Sequence, residues 1–190
     1  GLHGRSAALG FGITLGLADP SKKVIITTGD GGATIGLQHI LEASRRNVNM
    51  TLIVLNNMIY GMTGGQESGL STPDFKAERL NSADRTPNYD IIELAHCAGA
   101  AFCTRIFGTG KFESKLKEAV NISGFSVVEI LNLCNPYGIS KLKDLSNTGY
   151  KEITLVNDRD PYKIDVQDHK SLFNETTGFF PKFNSTLEGP

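Results

Sequence analysis

Residues 23–57 read KVIITTGDGGATIGLQHILEASRRNVNMTLIVLNN. Two short apolar, β-branched runs, 23–28 and 51–55, enclose a segment of helical spacing over 36–47. Within it Leu37, Ile40 and Leu41 share one face, and Arg45 and Arg46 stand near the end, where cations suit the helix dipole. Apolar runs without alternation are strands buried on both faces, and strand, helix, strand is the unit of a parallel sheet. Outward from this unit the alternation continues. The spacing predicts a close-packed, small-residue helix over 4–19 and a helix over 89–98 that Gly99 stops. It predicts a strand over 100–106, an amphipathic helix over 111–122 and a strand over 126–131. The expected fold is a doubly wound, mostly parallel α/β sheet with helices on both faces.

Composition bounds the function classes. The chain has 190 residues, enough for one domain with a sizeable core. Nineteen Lys and Arg against 20 Asp and Glu leave a net charge of −1. That balance argues against a nucleic-acid partner and against a polybasic membrane surface. Three irregularly spaced cysteines, Cys97, Cys103 and Cys134, build no disulfide framework and point to a reducing, cytoplasmic setting. The chain opens at Gly1 directly into dense motif sequence, so an upstream segment is expected. Residues 7–18 have the look of a signal-peptide core, but Gly10, Gly12 and Gly16 and the stop at Asp19-Pro20 fit a packed helix better. Residues 61–88 form a long polar stretch, and a loop of that length is usually functional or disordered. After residue 145 the alternation fades. We expect a domain over 1–145 and an extension over 146–190, whose Phe173, Phe179, Phe180 and Phe183 suit an arm laid on a partner subunit.

Ligands of open α/β sheets sit outside the carboxyl ends of the strands. Gly29-Asp30-Gly31-Gly32 follows the first strand and Asn56-Asn57 the second, and one crossover brings both to the same sheet edge. Asp30 offers a carboxylate oxygen and Asn57 an amide oxygen, the donors that Mg²⁺ takes alongside phosphate oxygens. Gly31 and Gly32, at the start of the next helix, let a phosphate approach bare backbone N–H groups at the positive end of its dipole. The bland alternative for Asp30 and Asn57 is a helix cap and an Asx turn. For Cys134 it is a small buried hydrophobe; Cys97 and Cys103 read as core or helix-face residues, and His39 and His96 as structural histidines.

Gly29-Asp30-Gly31 with Asn56-Asn57 resembles the thiamine-diphosphate motif. Leu2-His3-Gly4-Arg5, the stretch from His39 through Asn47, and Asn56 through Gln66 (NNMIYGMTGGQ) resemble the beta subunit of 2-oxoacid:ferredoxin oxidoreductases, as does 125–136 (FSVVEILNLCNP). The resemblance covers roughly residues 2–140. It implies that Asp30, Asn57 and the backbone carbonyl of Ile59 hold Mg²⁺, and that Gly29, Gly31 and Gly32 line the diphosphate of thiamine diphosphate. Tyr60, Gly61, Met62 and Thr63 would run beside the thiazolium and the substrate pocket, with His3 near the phosphates; His3 and Met62 are the catalytic candidates. Cys134 would be one thiolate of a [4Fe–4S] cluster completed upstream. The implied reaction is oxidative decarboxylation of a 2-oxoacid to its acyl-CoA, with coenzyme A and a ferredoxin-type acceptor, as in anaerobic metabolism. The implied assembly is a hetero-oligomer with a pyrimidine-binding alpha subunit and gamma or delta subunits.

Three features depart from that pattern. No Cys-x-x-Cys precedes His3, Gly32 stands where the family often has Asp, and Asn135 separates Cys134 from Pro136. The missing cysteines leave room for a non-oxidative thiamine-diphosphate enzyme, a decarboxylase or an acetolactate-synthase-like protein. A nucleotide-binding module is the reading from another class, but neither G-x-G-x-x-G nor a P-loop Lys-Ser/Thr is present.

Overall fold

The structure, a computed structural model, describes residues 2–161 except 18, 20, 73–74, 76–86, 111, 138–141 and 146. The chain runs α1 (Ser6–Gly16), β1 (Val24–Gly29), α2 (Asp30–Ile35), α3 (Leu37–Arg46), β2 (Met50–Asn56), β3 (Ile59–Tyr60), a 3₁₀ turn (Gly61–Thr63) and β4 (Gln66–Glu67). It continues through α4 (Ile91–Ala98), β5 (Phe102–Phe107), α5 (Glu113–Asn121), β6 (Ser126–Leu131), α6 (Leu142–Leu145) and β7 (Ile153–Val156). The main sheet has the order β1-β2-β6-β5-β7, with β1, β2, β6 and β5 parallel and β7 antiparallel to β5. β3 and β4 form a separate antiparallel pair.

Alternation within the apolar strands feeds two cores. Leu52, Val54, Cys103 and Val127 face the layer of α1, α3 and α4, where Ile40, Ala43, Ile91 and Ala95 meet them. Ile53, Phe102, Val128 and Ile130 face α5, against Leu116 and Ala119. This is why the sequence shows continuous apolar runs rather than alternation: both faces are covered. β1 is the exception. It lies at the sheet edge, and on the α5 side Ile25 is 50% exposed. On the other side α1 seats Gly10 against Ile26 and Met50, so the stretch with a signal-peptide look is a packed helix. Lys23 donates to the carbonyls of Ala119, Ile122 and Gly124, placing a cation at the C-terminal end of α5.

Two elements depart from the sequence reading. Gly31 and Gly32 do stand at a helix start, but no loop precedes them: β1 passes directly into α2, because Asp30 already has helical backbone behind an extended Gly29. The fading pattern after residue 145 conceals β7, since four residues on a sheet edge carry too little periodicity to be seen. The phenylalanines of the extension and most of 73–86 lie outside the described residues.

Asn47 ties this frame together. It ends α3 in the left-handed conformation, φ 47°, and is buried. Its Oδ1 accepts from the amides of Ala101 (3.2 Å) and Phe125 (2.8 Å), just ahead of β5 and β6. Its Nδ2 donates to the carbonyls of Arg159 and Asp160, beyond β7. Asn47→Ala strands two buried amides and forces a β-carbon residue without a polar side chain into a left-handed backbone. We expect a loss of about 3 kcal/mol in urea unfolding with an unchanged m-value.

Candidate metal and phosphate site

Register levels the carboxyl ends of three strands. Gly29 pairs with Leu55, and Asn56 with Leu131, so Asp30, Asn57 and the segment after Leu131 leave the sheet at one edge. Asp30, the first residue of α2, is 7% exposed. Its Oδ1 accepts from the Gly31 amide at 2.8 Å, while its buried Oδ2 has no hydrogen-bond partner among the described residues. Burial pushes the Asp30 carboxyl above the usual carboxylate range, against the opposing pull of the Gly31 amide, the Ser68 hydroxyl and the Ile59 amide. Neither Ser68 nor Ile59 gives Oδ2 a hydrogen bond. A desolvated carboxylate with a free oxygen lacks a cation, and a hard divalent ion suits it.

Asn57 follows β2 and accepts from the Ile59 amide through Oδ1 at 3.1 Å. The Asx turn that the bland reading predicts is therefore real. It leaves a second lone pair on the same oxygen, so turn and ligand are compatible roles. Ile59 itself is buried. Tyr60 extends over Gly31, and its hydroxyl is fixed between Thr34 Oγ1 (2.9 Å) and the Gly69 amide (3.0 Å). A β-carbon on Gly31 would come within 3.3 Å of the Tyr60 ring and 3.5 Å of His3 Nε2; one on Gly32 would run onto Thr28 Oγ1. Glycine at 31 keeps backbone open between His3 and Tyr60, while Gly32 is itself buried against Thr28. No N-cap side chain bonds α2; of its first-turn amides that of Gly31 is taken by Asp30 Oδ1, which leaves that of Gly32 for an anion. The fit of a metal and a phosphate thus rests on an orphaned carboxylate oxygen beside a cradle that a β-carbon would fill.

The remaining candidates spread outward. The turn over 2–5 brings His3 to Gly31, with the Gly4 carbonyl against Gly36 and Arg5 hydrogen-bonded to His39 Nε2 at 3.0 Å. Gly61, Met62 and Thr63 form the 3₁₀ turn; Thr63 is tied to Gln66, and Met62 is fully exposed. Cys134 is buried with Met58, Ile59, Phe75 and Leu145, behind the Asn57 turn. Among the described residues no cluster of three His, Cys, Asp or Glu could hold a metal ion. Cys97 on α4 is exposed, whereas burial pushes the Cys103 thiol up to about 12, which keeps it a neutral core residue. His96 is less satisfied than a structural histidine should be, for its buried Nδ1 has no partner among the described residues.

Three polar residues behind the site, Asp90, Arg105 and Glu129, escaped sequence reasoning, and Asn56, read as part of the motif, carries a role not assigned to it there. Asn56 Nδ2 donates to Glu129 Oε1 at 2.7 Å, and Arg105 pairs with both Glu129 and Asp90. The signal was present in SVVEIL and FCTRIF, each an apolar strand holding one charged residue that needs a buried partner.

Residues 1–130 match the family described as thiamine pyrophosphate enzyme, C-terminal TPP binding domain. The chain is 37% identical over 146 residues to the 2-oxoglutarate synthase subunit KorB of Archaeoglobus fulgidus, covering 75% of this chain and 54% of that protein. It is 36% identical over 139 residues to the 2-oxoacid:ferredoxin oxidoreductase subunit beta of Saccharolobus solfataricus, covering 72% and 45%. The chain therefore spans about half the length of the curated relatives it matches. A solved 2-oxoglutarate:ferredoxin oxidoreductase from Magnetococcus marinus, with 2-oxoglutarate, coenzyme A and succinyl-CoA bound, shares the fold. Its TM-score is 0.69 at 23% identity, over 100% of this chain and 75% of that one.

The orphaned Asp30 oxygen makes a prediction about the protein without metal. A carboxyl whose folded pKa is raised contributes stability that is complete below its unfolded pKa and is lost as pH rises through the folded value. Asp30→Asn should flatten that segment of the stability profile, above about pH 4, and raise the neutral-pH Tm by about 2–4 °C. The same variant should no longer gain stability from Mg²⁺ and thiamine diphosphate. Paired thermal melts across pH, with and without both ligands, check this.

Proposed function

The chain belongs to the thiamine pyrophosphate enzymes through their C-terminal TPP-binding domain, and from that premise we propose that it is the diphosphate- and metal-holding part of a 2-oxoacid:ferredoxin oxidoreductase beta subunit. The observation that carries the reading is the buried, unpartnered Asp30 Oδ2 at the sheet edge that Asn57 shares. Asp30 would hold Mg²⁺ with the Asn57 amide oxygen and the Ile59 carbonyl. Gly29, Gly31 and Gly32 would admit the diphosphate to backbone N–H groups, with His3 on its other side. When bound, thiamine diphosphate supplies the electron sink for decarboxylating a 2-oxoacid.

The chain's own residues do the holding. Asp30 supplies the one carboxylate charge that offsets the metal, in a site dry enough for it to count. Tyr60, locked by Thr34 and Gly69, walls one side of the cradle at Gly31. Gly61, Met62 and Thr63 continue toward the substrate; the full exposure of Met62 suits a residue that a second subunit or the 2-oxoacid covers. Leu9, Ile13, Ile25 and Leu55 are also exposed, apolar surface that fits burial against a pyrimidine-binding alpha subunit. The extension from residue 146, beyond the point where β7 joins the sheet, would serve the same contact. Gamma or delta subunits, coenzyme A and a ferredoxin-type acceptor complete the proposed cytoplasmic assembly. Cys134 is the proposed thiolate of a [4Fe–4S] cluster, with its other ligands outside the described residues.

Calorimetry on the assembled protein tests the metal assignment. Asp30→Ala should weaken Mg²⁺–thiamine diphosphate binding at least about 100-fold with the fold intact, as expected for loss of a buried charge partner. Unaltered affinity would remove the site. Separately, Cys134→Ser should lower iron content and dye reduction while cofactor retention stays normal; full iron in that variant makes Cys134 a core residue. The chain by itself should not turn over 2-oxoacids with a one-electron dye, because its proposed site residues reach the metal, the diphosphate and the thiazolium, and none of them is assigned to the pyrimidine.

A further inference from the structure

Glu129 and Arg105 are registered neighbours on β6 and β5, 0% and 4% exposed. Arg105 Nε meets Glu129 Oε2 at 2.6 Å, Arg105 Nη2 meets Asp90 Oδ1 at 2.7 Å, and the Tyr150 ring stacks on the guanidinium at 3.8 Å. The second carboxylate oxygen, Oε1, accepts from Asn56 Nδ2 at 2.7 Å. The other Nδ2 proton goes to the Leu70 carbonyl at 3.0 Å, which Tyr150 also reaches. Asn56 Oδ1 in turn accepts from the Met58 amide at 2.9 Å. Every polar atom of the Asn56 side chain is thus committed.

Met58 is where this commitment matters. It is fully buried, with φ 66° and a side chain, a backbone state that costs about 1–2 kcal/mol unless its surroundings impose it. Its amide is held by Asn56, and its carbonyl accepts from the Ser68 amide and the Ser71 hydroxyl. Asn57 stands between the clamped Asn56 and the forced Met58. An ion pair this deep is a poor source of stability, since a well-packed apolar pair often replaces one without loss. Its place, against the residue before the candidate ligand, suggests orientation instead.

We propose that the Glu129–Arg105 pair positions the metal-ligand turn: it grips Asn56 by its amide, and through Asn56 imposes the left-handed Met58 turn that presents Asn57 beside Asp30. Both are positioning residues, and neither is a ligand. The cofactor arm of the test rests on the function proposed above; the exchange arm does not.

Two variants of the full chain, measured in its assembly, decide the matter: the double change Glu129→Leu with Arg105→Leu, and Glu129→Gln. The first removes both charges at similar volume, so global stability, read from exchange at Val127 in β6, should stay near that of the parent. Exchange at the Met58 and Ile59 amides should nonetheless accelerate about tenfold, and the Kd for Mg²⁺–thiamine diphosphate should rise about tenfold. Glu129→Gln leaves one acceptor oxygen for two donors, and the charged guanidinium is the stronger claimant, so that variant releases Asn56. A smaller acceleration, about threefold, is expected at the same two amides, and this variant decides alone if the double one does not fold. Unchanged exchange at Met58 and Ile59 relative to Val127 would overturn the proposal and leave the pair a structural feature. A parent that binds no thiamine diphosphate would sink the function reading instead, with the exchange result still judging the pair.

Discussion

The parallel register of β1 against β2 is the constraint on which the rest of the molecule depends. Gly29 lies opposite Leu55, so a carboxylate at position 30 and an amide at position 57 emerge from one edge without any long-range loop to bring them there. A slip of one residue would turn Ile26 away from the α1–α3–α4 layer that Leu52 and Val54 face, and with it part of the core that stabilises the sheet. Site geometry and core packing are therefore one requirement. The strands cannot satisfy the second without setting the first.

Around that edge the polar atoms divide into satisfied and unsatisfied sets. Asn47, Asn56 and Thr34 commit their side chains to backbone and neighbours, and each joins two or more elements. Asp30 Oδ2 does not. Buried polar atoms in native proteins are nearly always paired; among the described residues Asp30 Oδ2 shares the exception with Thr72 Oγ1, His96 Nδ1 and Ser126 Oγ, and of these four it is the carboxylate oxygen, for which a cation is the fitting partner. Glycine at 31 leaves space beside it, between His3 and Tyr60. The protein holds a desolvated acid beside open backbone, a combination unfavourable for an empty domain and favourable for one that takes a cation with an anionic cofactor.

Much of the apolar surface points the same way as the family membership. α1 buries Ala7 and Gly10 on β1 while Leu9 and Ile13 remain open, and the α5 side of β1 exposes Ile25. The helix cover of the sheet is thus thin along β1, the edge strand that runs into Asp30. A site that borrows part of its wall from another subunit has this form.

Sequence alone determined the periodic and the local. The apolar runs of β1, β2 and β6, the helical faces of α3, α4 and α5, and the pairing of Gly29-Asp30-Gly31 with Asn56-Asn57 all follow from residue spacing, which is a property of neighbours along the chain. Tertiary structure decided what depends on burial and on partners far apart in number. It turned the expected glycine loop into the first turn of α2, and it recruited residues 153–156 to the sheet edge. It joined Asn56 to Glu129, 73 residues away, and Glu129 to Arg105, 24 residues back along the chain. A lone Glu in SVVEIL announces that a partner must exist, because a buried charge is costly unpaired. Which residue answers it is set by strand order, β2-β6-β5, and strand order is not written in any local pattern.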